Sequence, residues 1–148
     1  MEPTFYIAAD YARRAEVAQM ARQLEDELEM TSHTNWITPK AAYNDDATGD
    51  AMDAEHQAGA VAASVQDFND IQASSFFIQL STGEPHRGGR TAELGVAIAM
   101  AEGYSGRHII LVGPREHVFH FHPAVTQVPS FLALRFWLAG YLAGYAEA

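Results

Sequence analysis

The stretch Gly88-Gly89-Arg90-Thr91-Ala92-Glu93-Leu94-Gly95 combines residue types that suit a reactive carboxylate. Its two glycines let backbone approach a ligand closely. A helix starting there presents free N–H groups to an anion. Glu93 would stand in the first turn, where the helix dipole favours an ionised carboxylate. Such a carboxylate beside an anion-friendly loop suits nucleophilic attack on an electrophilic carbon. The alternative is that Glu93 only complements the dipole. A second acidic element, Asp67-Phe68-Asn69-Asp70-Ile71, precedes the apolar run SFFIQL. Asp67 and Ile71 are four apart and share a helix face. An acid near a helix end opposes the dipole there, which singles out Asp67; its alternative is an ordinary exposed helix acid.

Between these acids lies the loop Ser81 to Gly89, with Ser81, His86, Arg87, Gly88 and Gly89, followed by Arg90. Arginines in a glycine-containing loop at a helix start can hold a phosphate through charge-assisted bonds. Arg13 or Arg14 could add a contact; surface ion pairing in an acidic protein is the alternative. His120 and His122 would share one face if His117–His122 were a strand, and two imidazoles can ligate a metal. No third ligand at suitable spacing is visible, so no metal and no cofactor is expected; stacking or pocket lining by the histidines is the preferred role. The chain lacks G-x-G-x-x-G after its first apolar run, G-x-x-x-x-G-K-[ST], and G-x-S-x-G, which argues against dinucleotide, P-loop and serine-hydrolase chemistry.

The elements that must carry these residues alternate. Thr4 to Ala8 reads as a buried strand, with Asp10 after it as an N-cap. Apolar residues recur at helical spacing from Tyr11 to Glu29. Met30 to Ile37 reads as a second strand, Pro39 to Gly49 as a loop, and Asp50 to Gln72 as an alanine-rich helix. Ser75 to Leu80 is a strand, Thr91 to Glu102 a helix, His108 to Val112 a strand, and Pro129 to Ala146 a last helix. Such alternation predicts a parallel sheet with helices on both faces and right-handed crossovers. Ligands of such sheets bind beyond the carboxyl ends of the strands.

The 148 residues fit one domain spanning positions 1–148, with no repeat or linker. There are 19 Asp+Glu against 9 Lys+Arg, a formal charge of -10. Residues 1–70 hold 14 of the acids and only four bases, so the second half is balanced. This excludes electrostatic binding of a nucleic-acid polymer. With no Cys there is no disulfide framework or thiol nucleophile. No apolar run reaches the ~20 residues of a membrane span. The start carries Glu2 rather than a basic, apolar signal, so the expected location is cytoplasmic. The last helix, SFLALRFWLAGYLAGY, is apolar nearly all round and reads as a subunit interface.

Four blocks carry a family resemblance: FYIAA with Tyr6, DFNDIQASSFFIQL, GGRTAELGVAIA, and HIILVG. In this order they span most of residues 4–113 and resemble the nucleoside 2-deoxyribosyltransferase family, including its relatives that hydrolyse nucleoside 5'-monophosphates. The tail REHVFHFHPAVTQVPSF resembles a branch with an aromatic-rich strand after the glycine turn. The resemblance implies a flavodoxin-like, Rossmann-like three-layer sandwich with a mainly parallel sheet of about five strands. It implies cleavage of the N-glycosidic bond of a (2'-deoxy)nucleoside or nucleoside 5'-monophosphate. Glu93 matches the nucleophile that forms a covalent sugar intermediate, in keeping with two-step glycosyl transfer. Asp67 matches the acid that contacts the base or moves its proton. Tyr6 matches a tyrosine that orients the nucleophile; a core tyrosine with a satisfied hydroxyl is the alternative. Asp70 is a possible supporting group without an assigned role.

Ser81, Arg87, Gly88, Gly89 and Arg90 are the expected contacts to the sugar's 5' end. Trp36, with His33, would line the base pocket or pack in the core. The family completes its pocket with a polar residue from a neighbouring subunit, and Thr126 and Gln127 fall in that region. The expected assembly is therefore a homodimer or larger homo-oligomer with shared sites. Its terminus GYAEA has no clear counterpart to the terminal residues that the transferases use. Water or a second base can resolve the intermediate, so hydrolase and transferase both stay open. GGRTAE also resembles phosphoribohydrolases of the same reaction class. A non-catalytic nucleotide sensor is the alternative function, and an interaction module built on the last helix a third.

Overall fold

The computed structural model describes residues 2–38, 53–82, 89–103 and 106–147. Five strands, β1 (Thr4–Ala8), β2 (Thr31–Ser32), β3 (Phe76–Leu80), β4 (His108–Val112) and β5 (Val125–Val128), form one sheet. The order is β2-β1-β3-β4-β5 and every pair is parallel. This is the flavodoxin-like order, with a switch point between β1 and β3. The helices are α1 (Arg14–Leu28), α2 (Ala54–Ala73), α3 (Gly89–Gly103) and α4 (Phe131–Glu147).

Period-two alternation along the strands divides the interior into two layers. Phe5 and Ile7 of β1, with Phe76, Ile78 and Leu80 of β3, face Val17 and Leu24 of α1 and Leu134 and Leu138 of α4. Tyr6 and Ala8, with Phe77 and Ile109, face Ile71 of α2 and Leu94 and Ala97 of α3. Burying each large aliphatic of these layers contributes about 1.5–3 kcal/mol. α4 turns Leu134 and Leu138 inward but leaves Phe136 72% exposed.

Several local expectations are corrected. The second strand is short because side chains replace its ladder. Thr34 Oγ1 accepts from the Ile7 amide at 3.1 Å, and Trp36 Nε1 donates to the Ile7 carbonyl at 2.7 Å. Residues Asn35–Ile37 then form a 3-10 turn. Asp10 does not cap α1 with its side chain: Tyr11–Arg13 form a 3-10 turn first, closed by the Asp10 carbonyl. The expected aromatic strand after the glycine turn is a 3-10 turn, Val118–Phe121, so His120 and His122 do not share a strand face. The strand that follows is β5. α3 begins at Gly89 rather than Thr91, which moves Glu93 beyond the first turn.

Gly113 fixes the exit from β4. Its φ is +114°, and a Cβ there would stand 2.7 Å from Ser81 Oγ and 2.9 Å from the Ser81 carbonyl. The absent side chain lets the ends of β3 and β4 close on each other.

Candidate active site

Three elements of the α2–α3 face bring the sequence-selected acids together. Tyr6 sits mid-strand on β1, fully buried, its ring stacked on Phe77 at 6.0 Å between centroids. Its hydroxyl donates to Glu93 Oε1 at 3.2 Å. Glu93 comes from the second turn of α3, and Asp67 and Asp70 come from the last turns of α2. Asn35 Nδ2 donates to both Asp70 carboxylate oxygens at 3.2 Å.

Burial dominates the electrostatics. It pushes the Glu93 carboxyl up to about 8; the Asp67 charge adds to this, and the Tyr6 hydrogen bond opposes it. Asp67 is pushed up to about 6, by burial first and then by Asp70. Asp70 is raised by burial, with Asn35 and His33 pulling the other way. The Tyr6 phenol is held firmly protonated by burial and by the carboxylates around it. The expectation of an ionised Glu93 favoured by the helix dipole is thereby overturned. A dipole contributes about 0.3–1 kcal/mol in the end turns, too little against the loss of water around this side chain. Between about 6 and about 8 the two carboxyl groups hold one proton between them, which gives the site an acid and a base to exchange.

The expected 5'-end contacts lie elsewhere in the same region. Arg90 is only 5% exposed. Its Nη1 donates to the Leu80 carbonyl at 2.7 Å, both terminal nitrogens meet the Glu116 carboxylate, and Nε lies 3.4 Å from Asp10 Oδ1. Instead of facing open space, its guanidinium is set between two carboxylates. Ser81 Oγ donates to the Pro114 carbonyl at 2.6 Å, and Gln127 Nε2 to the Gly113 carbonyl at 2.9 Å. Both side chains hold the turn after β4. Trp36 is half-buried against both layers and Tyr11. Gly89 opens α3, whereas His86, Arg87 and Gly88 lie outside the described residues. Arg13 is bidentate to Glu16, and Arg14 lies over the Tyr11 ring.

Sequence reasoning missed Asn35, Gln79, Glu116 and the structural use of Asp10. Gln79 carried a signal: it is the polar residue inside the apolar run FFIQL. Among the described residues there is no group of three or more His, Cys, Asp or Glu that could hold a metal. Among them, too, no helix is long and apolar enough to cross a membrane.

A solved structure shares this architecture. It is a CMP N-glycosidase of Clostridium botulinum, BcmB, matched over 92% of this chain and 98% of that one, with a TM-score of 0.53. The two sequences are 16% identical, so the likeness establishes the fold. Neither a protein-family model nor a curated protein matches the sequence.

Proposed function

We propose that this chain cleaves the N-glycosidic bond of a (2'-deoxy)nucleoside or nucleoside 5'-monophosphate, with Glu93 as nucleophile and Asp67 as proton carrier. The observation that carries the reading is the Tyr6–Glu93 hydrogen bond in a buried site where Asp67 raises Glu93. The family resemblance of those same residues, and a fold shared with a CMP N-glycosidase, support it.

The steps balance as follows. Ionised Glu93 attacks C1', and the electron pair of the C1'–N bond leaves with the base. Protonated Asp67 gives its proton to that base. Water, or the nitrogen of a second base, then attacks C1' and releases the Glu93 carboxylate, while Asp67 takes back a proton. Two inversions retain the configuration. Tyr6 stabilises the carboxylate form of Glu93 before the attack and again on its release.

In the free protein the proton order is reversed, since Glu93 holds its proton to about 8 and Asp67 only to about 6. The productive form carries the same single proton on Asp67 instead. That form is populated only while the pair holds one proton, so kcat/KM should be bell-shaped between about 6 and about 8.

The test is base release from deoxy- and ribonucleosides and their 5'-monophosphates, with and without acceptor base, beside Glu93→Gln. Release from monophosphates without acceptor identifies a nucleotide hydrolase. Turnover of nucleosides only with acceptor identifies a transferase. No turnover with ligand-induced stabilisation moves the reading to a sensor, and full activity in Glu93→Gln removes Glu93 from the chemistry. The same reading takes the protein as a homo-oligomer, with the exposed Leu132 and Phe136 of α4 at its contact; sedimentation of Phe136→Glu as a smaller species than wild type would support this.

A further inference from the structure

At the start of α3, on the helix that carries Glu93, lies a closed ring of polar groups drawn from β3, α3 and the β4–β5 connection. His120 Nδ1 accepts the Glu116 amide at 2.8 Å, so its ring proton sits on Nε2. Nε2 donates to Gln79 Oε1. The other half of that amide, Nε2, donates to the Arg90 carbonyl at 2.7 Å. The Arg90 guanidinium returns to the Glu116 carboxylate at 3.2 and 3.3 Å. Gln79 and His120 are 1% and 2% exposed, and the His117 ring covers His120 at 3.9 Å.

Each member is more than a satisfied core group, because the ring spans the junction that sets Glu93. Arg90 lies in the first turn of α3 and Glu93 three residues on, along the same helix face. Tyr6 belongs to β1, beside β3 in the sheet, with Ala8 opposite Gln79 in register. The Gln79–Arg90 bond therefore fixes the start of α3 relative to the strand pair that carries Tyr6. The tolerance is small: at 3.2 Å the Tyr6–Glu93 contact is already long for O–H···O. A slide of α3 by half an ångström would lose it.

We infer that Gln79 and His120 are positioning residues for Glu93, acting through the Arg90 carbonyl and the Glu116–Arg90 pair. The inference rests on the reading of Glu93 as the reacting carboxyl. His120→Asn keeps an acceptor for the Glu116 amide but cannot reach Gln79. Gln79→Met keeps the volume and removes both of its bonds.

On whichever substrate of the panel is turned over, both variants should lose about 10- to 100-fold in kcat with KM little changed. The alkaline limb of kcat/KM should also move below that of wild type: a loosened Glu93 regains water, and this outweighs the opposite effect of losing the Tyr6 bond because burial is the larger influence on Glu93. A role in stability alone would lower the melting temperature and leave kcat and that limb in place. Folded variants with wild-type kcat and pH limb overturn the inference, while Glu93→Gln in the same assay stays inactive. Full activity in Glu93→Gln instead sinks the reading of Glu93, and the ring with it. The wild-type protein gives an independent check that needs no variant: nitrogen-15 NMR should show His120 as the Nε2–H tautomer with slow exchange. An Nδ1–H tautomer overturns the inference however the variants behave.

Discussion

Glu93→Gln should make the protein more stable in alkaline solution, and the gain should grow with pH. Glutamine imitates the protonated carboxyl and still offers an oxygen to the Tyr6 hydroxyl. In the wild type, folding raises the Glu93 carboxyl from 4.5 to about 8. A group raised in this way lends its full stability below 4.5 and loses it as pH climbs through about 8. At pH 5 the unfolded chain is only partly ionised, and the variant and wild type should differ by about 1 kcal/mol from this source. At pH 9 the whole gap between the two affinities counts, about 4–5 kcal/mol as an upper value. The pH-dependent part is therefore about 4 kcal/mol, or about 8–16 °C in Tm for a chain of this size. Thermal melts of both proteins at pH 5, 7 and 9 measure it without any knowledge of substrate. A difference in Tm that stays flat from pH 5 to pH 9 would falsify the claim that burial keeps Glu93 protonated. A difference that grows in favour of the wild type would reverse its sign.

Further predictions concern the groups around that carboxyl. Tyr6→Phe removes the hydrogen bond that lowers Glu93, so kcat/KM should fall about fivefold, roughly 1 kcal/mol of differential hydrogen bonding, and its alkaline limb should move up; an unmoved limb contradicts the role given to Tyr6. Asp67→Asn removes the charge that raises Glu93, so Glu93 should titrate lower. Base release should drop about 10²–10⁴-fold for ordinary bases and much less for a base that departs unprotonated, and equal losses for both substrates count against Asp67 as the proton donor. Gly113→Ala places a Cβ against Ser81 at a positive φ and should cost about 1–3 kcal/mol in denaturant unfolding; a neutral result would mean that the strand ends can part freely.

The legible parts of the fold are those where one kind of interaction decides. β1, β3 and β4 are buried on both faces, so they read as unbroken apolar runs, and their parallel order follows from the helices between them. β2 was overextended because its ladder bonds to Ile7 are made by the Thr34 hydroxyl and the Trp36 indole. Those contacts join positions 27 and 29 residues apart and leave no local periodicity. The 3-10 turn at Val118–Phe121 escaped for the same reason. Alternating His and Phe suggest a strand, yet a ring nitrogen of His120 takes the Glu116 amide and curls the segment back.

The candidate site shows a sharper division. Residue type and position draw attention to Glu93 and Asp67, but Tyr6 and the glycosidic roles of all three come only from the family resemblance of the blocks that hold them. Their protonation could not be read from either, because it depends on how much water each loses when three separate elements meet. Local reasoning put Glu93 in a first turn and gave it a charge. The helix starts two residues earlier than expected, the side chain is shielded, and desolvation outweighs any dipole. The same holds for Arg90. Beside two glycines it suggests a phosphate ligand, but Asp10 and Glu116 arrive from other strand ends and claim its guanidinium. An arginine balanced by two carboxylates brings no net positive charge to an incoming phosphate. It does hold rigid the first turn of the helix on which Glu93 stands. If the proposed substrate is right, Arg90 is a scaffold rather than a contact to the sugar's 5' end, and comparing nucleosides with their monophosphates in Arg90→Met separates the two roles. Loss on both substrates alike marks a scaffold; loss confined to the monophosphates restores the phosphate contact.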